Sequence, residues 1–131
     1  MPDIRVSAAV IVDDEGRVLV VRKKGTTRFM QPGGKPEPGE GPAQTLIREL
    51  HEELGILLDE GDLEPLGTFI SEAANEPGHR VIADAFATSI DPATVTVQAE
   101  LAELRWITRD EIGDLPLAPL STEHLLPLAW A

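Results

Sequence analysis

The sequence predicts an α/β chain of the α+β kind, with a mixed β-sheet packed between helices, and three observations carry that expectation. Apolar, β-branched runs recur as pairs of short strands, one strongly amphipathic helix is interposed between them, and a helical segment closes the chain. At 131 residues and 42% hydrophobic, the chain suits a single domain, residues 1–131, around one core.

Taken in order, Arg5 to Val12 and Val18 to Arg22 flank the turn Asp13-Asp14-Glu15-Gly16, which predicts a hairpin. Their near-continuous apolarity predicts burial on both faces. Lys23-Lys24-Gly25 opens a loop, and Arg22, Lys23, Lys24 and Arg28 form a basic cluster suited to a phosphate pocket or to a solvated loop. Phe29 to Gln31 reads as a short strand delivering the pair Gly33-Gly34. After the helix, Leu63 to Ser71 reads as a strand made irregular by Pro65 and Gly67, and His79 to Thr88 as its hairpin partner across the turn Ala73 to Gly78. On that partner Arg80, Ile82 and Asp84 share one face and Val81, Ala83 and Ala85 the other. Thr94 to Gln98 is a further strand candidate. Arg109 to Asp114 predicts a short helix, and Ser121 or Thr122 caps a last one that runs through Leu125 and Leu126 to an interruption at Pro127.

The interposed helix carries the chemistry. Pro42 suits a first helical position, because its missing N–H has no partner there, and Gly55 suits the left-handed residue that ends the helix after Leu54. At about 100° per residue, Ala43, Leu46, Ile47, Leu50 and Leu54 fall on one apolar arc that must be buried. Glu49, Glu52 and Glu53 form an adjoining acidic arc, and Arg48 stands four residues before Glu52, where a guanidinium can orient a carboxylate. Three neighbouring acids repel one another, and a divalent cation reverses that repulsion. Oxygen-only ligands select a hard ion, Mg²⁺ or Mn²⁺. A solvated acidic face has the same pattern, but the loop before the helix adds features such a face does not need. Gly33-Gly34 permits close backbone approach to a ligand, Lys35 adds a positive charge, and Glu40 adds a fourth carboxylate.

Composition narrows the partners. A net charge of −12 argues against a nucleic-acid polymer or an anionic membrane, which reward basic surfaces. A small phosphorylated ligand is compatible if metal supplies the positive charge. The absence of cysteine excludes thiol chemistry, and no apolar leader or long apolar run is seen, so a cytoplasmic location is expected.

Residues 34–56 read Gly34, five residues, Glu40, seven residues, Arg48-Glu49-Leu50, one residue, Glu52-Glu53, one residue, Gly55-Ile56. This resembles the complete box of the Nudix (MutT-like) hydrolases. Pro32 to Lys35 and Trp106-Ile107 ahead of Arg109 to Ile112 also resemble the family, so the likeness extends to the whole chain. It implies the Nudix fold, an α/β/α sandwich with a mixed sheet. It implies Mg²⁺, replaceable by Mn²⁺, held by Glu49, Glu52 and Glu53 with a backbone carbonyl of Gly33 or Gly34, Glu40 assisting and Arg48 orienting a box glutamate. The family often places one more acid outside the box, for which Glu100 and Glu103 are candidates by position. The proton acceptor is Glu53 or Glu49 first, with Glu100 or Glu103 as outside contenders.

The resemblance further implies hydrolysis of a diphosphate linkage in a nucleoside diphosphate joined to a group X. No tyrosine stands downstream of the box, as dinucleoside polyphosphate hydrolases tend to have, and Glu72 occupies the place of a proline typical of ADP-ribose hydrolases. By elimination, the first expectation is a nucleoside triphosphate, oxidised and noncanonical ones included, cleaved to the monophosphate and pyrophosphate. ADP-ribose or a nucleotide sugar, or a non-catalytic nucleotide-sensing module, are the alternatives. Arg22, Lys35, Asn75 and Arg80 are the candidate substrate-binding residues, and homodimers are common in the family.

Overall fold

The computed structural model describes residues 3–73, 78–98 and 100–130. Four strands form a mixed sheet in the order β3, β1, β5, β4: β1 (Asp3–Ile11), β3 (Gly33–Gly34), β4 (Glu64–Glu72) and β5 (Arg80–Thr88). β1 and β5 run parallel, whereas β3 and β4 pair antiparallel with β1 and β5 respectively. A second, antiparallel ribbon joins β2 (Val18–Lys23) to β6 (Leu101–Ile107). The helix α1 (Pro42–Leu54) has the bounds its sequence predicts.

Alternation along β1 and β2 sorts the core into layers. Ala9, Ile11, Leu19 and Val21 pack with Leu46, Leu50 and Leu54 of α1. From the other faces of the same strands, Ala8 and Val10 meet Leu125, and Val18 and Val20 meet Leu126. Helices therefore cover the strands from both sides, which is the α/β/α layering expected. It also accounts for the unbroken apolarity of β1 and β2. Covering both faces removes alternation as a signal and leaves only apolar runs.

Four local expectations are corrected. β1 and β2 are not a sheet hairpin: they share one bridge, Val12 to Val18, because β1 is interior to the larger sheet and its two edges are taken by β3 and β5. Phe29 and Met30 make isolated bridges to Leu117 and Val21, and the strand proper is Gly33–Gly34. Thr94 to Gln98 is not a strand. Its amides cap α1 instead, with Thr96 N–H donating to the Leu54 carbonyl at 3.1 Å and Gln98 N–H to the Glu53 carbonyl at 2.9 Å. Finally, Pro127 does not interrupt the last helix. Ser121–Leu125 forms a π turn that leads into α2 (Leu126–Ala129), where Pro127 sits in the first turn and needs no N–H partner. The Ser121 hydroxyl makes no cap and turns inward to Gln31. The irregular strand expected at Leu63 to Ser71 is present, with its register shift between Pro65 and Gly67.

Candidate active site

Two glycines bring the sheet and α1 into contact. Gly33 has φ of +150°, and a Cβ there would lie 2.0 Å from the Ser7 carbonyl oxygen. A Cβ on Gly34 would lie 2.5 Å from the carboxyl carbon of Glu49. Only glycine lets β3 pass between β1 and the acidic face of the helix. The Ser7 hydroxyl, donating to the Pro42 carbonyl at 2.8 Å, ties β1 to the first turn of α1.

Arg48 gathers the box acids. Its Nε and Nη2 donate to the two oxygens of Glu40 at 2.7 and 3.0 Å, its Nη1 donates to Glu49 at 2.9 Å and to Glu52 at 3.0 Å, and Nη2 also reaches the Lys35 carbonyl at 3.0 Å. Spacing on the helix anticipates Glu52; the principal partner is Glu40, which a loop brings back across eight positions. The guanidinium and the Glu37 amide hold the Glu40 carboxyl down at about 2, so it stays ionised. Reciprocally, Glu40 first, then Glu52 and Glu49, raise the Arg48 pKa. Glu40 is thus placed as the anchor of Arg48.

Glu53 has a different environment. Its side chain is buried, and among the described residues its one hydrogen bond is a long one from the Gly33 amide at 3.3 Å. Burial pushes its pKa up to about 7; Lys23 and the Gly33 amide act against this, while the charges of Glu49 and Glu100 add to it. Glu100 is therefore close enough to join the cluster electrostatically. Glu103 faces Arg22 across β2 and β6 and accepts from its Nε at 2.9 Å, with Arg105 3.7 Å away on its other oxygen.

A cleft of about 270 Å³ opens beside this cluster, with Gly33, Gly34, Lys23 and Lys35 in its wall. Ile4, Val6 and Val81 supply an apolar side. Of the candidate substrate-binding residues, the structure brings Lys35 to the cleft. Arg22 is held by Glu103 and the Thr26 carbonyl, and its neighbour Lys23 lines the cleft in its place. Arg80 is bound by both oxygens of Asp3 and does not line the cleft. Asn75 lies outside the described residues.

Among the described residues, no three Asp, Glu or His side chains converge as a ready-made cation cage. Arg48 draws Glu49 and Glu52 to itself. The donor chemistry nonetheless suits a hard divalent ion: every side-chain donor is a carboxylate oxygen, and Glu53 is buried under the repulsion of Glu49 and Glu100, with Lys23 as its countercharge. A cation held here would compete with Arg48 for Glu49 and Glu52 and would offset the repulsion on Glu53. Gln31, also in the cleft wall, has no counterpart in the sequence reading, because an unpaired amide leaves no trace in spacing.

A family model described as NUDIX domain matches residues 1–130. The chain is 32% identical over 118 residues to the CTP pyrophosphohydrolase of Escherichia coli (strain K12), across 85% of this chain and 81% of that protein. It is 44% identical over 59 residues to the RNA pyrophosphohydrolase of Legionella pneumophila (strain Corby), across 45% of this chain and 33% of that protein. A solved structure, the bifunctional NMN adenylyltransferase/ADP ribose pyrophosphatase of Francisella tularensis complexed with AMP and a Mn ion, matches with a TM-score of 0.74 and 21% identity. That match covers 97% of this chain and 41% of the other, and at such identity it speaks for the fold alone. With the family model spanning nearly the whole sequence, and with the box residues gathered around one helix and one glycine pair beside a cleft, the chain belongs to the Nudix family of MutT-like pyrophosphohydrolases.

Proposed function

We propose that residues 1–131 act as one Nudix domain that hydrolyses a nucleoside triphosphate to the monophosphate and pyrophosphate, with Mg²⁺ as cofactor. The observation that carries this reading is the junction at Gly33-Gly34, where the cleft wall meets the carboxylates of Glu49 and Glu53. A substrate in the cleft has its phosphates beside the acids, with Lys23 and Lys35 as cationic neighbours.

Glu49, Glu52 and Glu53, with a carbonyl of Gly33 or Gly34, are the residues that would hold the metal, and Glu100 is the nearest candidate outside the box. When bound, Mg²⁺ supplies charge neutralisation at the phosphate oxygens and a water made more acidic. In the reaction, water attacks one phosphorus, the bridging P–O bond breaks towards pyrophosphate, and the water's proton passes to Glu53 or Glu49, the carboxylates nearest the glycine pair. Arg48 keeps Glu49 and Glu52 oriented, with Glu40 as its anchor. The likeness to a CTP pyrophosphohydrolase, across 85% of this chain and 81% of that protein, supports a free nucleotide as substrate. Net charge of −12 weighs against an RNA chain, whose backbone would meet an acidic surface.

The test is a Mg²⁺-dependent hydrolysis screen over the nucleoside triphosphates, oxidised dGTP, ADP-ribose, nucleotide sugars and 5′-triphosphorylated RNA, with products separated. The expected result is turnover of one or a few triphosphates, with release of pyrophosphate. Exclusive turnover of the RNA, of ADP-ribose or of a nucleotide sugar would replace the substrate assignment. Tight binding of a nucleotide without any turnover would make the chain a sensing module.

A further inference from the structure

Gln31 lines the cleft but has no part in the reaction described above. Its segment is clamped from two sides: Phe29 N–H donates to the Pro116 carbonyl at 2.7 Å, Ala118 N–H donates to the Phe29 carbonyl at 2.9 Å, and Met30 exchanges two 2.8 Å bonds with Val21. The side chain is 5% exposed. Its Oε1 accepts a hydrogen bond from the buried hydroxyl of Ser121. Its Nε2 is sealed from solvent and makes no hydrogen bond among the described residues. A buried amide nitrogen left without an acceptor is costly, and a leucine or methionine fills the same space without that cost. The amide is therefore explained by a ligand that supplies the acceptor.

We propose that Gln31 is a specificity-determining residue, whose Nε2 donates to a ring carbonyl oxygen of the substrate's base. The inference rests on the proposed function, because it takes the phosphates to lie at Gly33-Gly34, which leaves the base to meet the part of the wall where Gln31 stands. Ser121 sets the sense of the recognition: its hydroxyl occupies the amide oxygen and leaves the nitrogen for the ligand. Because Nε2 is sealed in the resting arrangement, donation to the base requires a turn about the soft terminal torsion of glutamine, with the Ser121 hydroxyl rotating to follow the amide oxygen. Bases with a carbonyl oxygen satisfy it, whereas adenine, with an amino group in the corresponding place, leaves it unpaired and adds a second donor.

The experiment compares ITP with purine riboside triphosphate, which lacks the 6-carbonyl, and with ATP, in the wild type and in Gln31→Met. Wild-type kcat/KM should favour ITP over both by about tenfold to a hundredfold, and the methionine variant should bring the ratios close to one. Each ratio is internal to one protein, so partial loss of folded enzyme cancels. Equal discrimination by the two proteins, or a wild-type preference for ATP, overturns the assignment; the latter is what an amide flipped to present its oxygen would give. Calorimetric binding of IMP and purine riboside monophosphate supplies a readout free of turnover. If no triphosphate is hydrolysed, yet IMP binds about tenfold more tightly to the wild type and not to Gln31→Met, the hydrolase reading fails and this inference stands.

Discussion

Asp13 and Glu53 are both buried carboxylates, at 8% and 3% exposure, and they are treated in opposite ways. Asp13, in the turn after β1, accepts from the amides of Glu15 at 2.9 Å and Arg17 at 2.8 Å and from the Arg17 guanidinium at 2.7 Å. Burial alone would push its pKa up, but the Arg17 and Glu15 amides and the Arg17 charge outweigh that, and the net shift is down. Among the described residues Glu53 has one 3.3 Å hydrogen bond and two acidic neighbours, and its pKa rises to about 7. A carboxylate that serves the fold is surrounded by donors. One left short of donors beside a cleft is what the proposed function assigns to a ligand that brings positive charge.

Substitution should separate the two acids most sharply in activity. Glu53→Gln should lower Mg²⁺-dependent kcat/KM on the order of 10³-fold while the far-UV CD spectrum stays near wild type. Full activity in that variant would remove Glu53 from the site. Asp13→Ala should do the reverse. Its loss leaves two amides without their acceptor and Arg17 with only its pair to Glu15 among the described residues, so chemical denaturation should show a loss of about 2 kcal/mol, with kcat/KM per folded molecule unchanged.

The pH dependence of metal-free stability has opposite signs at the two residues. For Glu53 the folded pKa is raised, so its favourable contribution is fully present below 4.5 and is lost as pH rises towards about 7. At roughly 1.4 kcal/mol per pKa unit, the loss amounts to at most about 3.5 kcal/mol. For Asp13 the folded pKa is depressed, so its contribution is present above 3.8 and fades on acidification. Melting in EDTA between pH 4.5 and 8 should therefore show a decline in the wild type that Glu53→Gln abolishes and that saturating Mg²⁺ offsets. A wild-type profile parallel to that of Glu53→Gln would show that the Glu53 carboxylate is solvated after all.

What the sequence made legible follows distance along the chain. The bounds of α1, its apolar arc and its acidic face are local periodicities, and all three hold. The hairpin expected of β1 and β2 fails because the pairing that wins is non-local: Asp3 to Ile11 lies parallel to Arg80 to Thr88, a partner that no turn announces. Thr94 to Gln98 alternates like a strand, but its amides meet the end of a helix, a choice made by tertiary packing. At the candidate site, motif spacing is what singles out Glu49, Glu52 and Glu53. The anchoring of Arg48 by Glu40 depends on the path of a loop, and the unpaired amide of Gln31 on packing against Ser121. Neither of those has a period.

Glu103 tests how far the acidic site extends beyond the box, and its effect should be the smallest. Position alone makes it as good a metal candidate as Glu100, but the charge of Glu100 acts on Glu53, while Glu103 is engaged by Arg22 across the strand pair. A half-buried cross-strand ion pair is worth on the order of 1 kcal/mol. Glu103→Ala should therefore cost no more than that in stability and leave the Mg²⁺ concentration for half-maximal hydrolysis within about twofold of wild type, whereas Glu100→Ala should raise it further. If Glu103→Ala instead weakened the Mg²⁺ requirement as much as a box substitution does, the Arg22 pair would be a resting arrangement that substrate or metal displaces, and the functional class of carboxylates would have to include an acid that already has its donor.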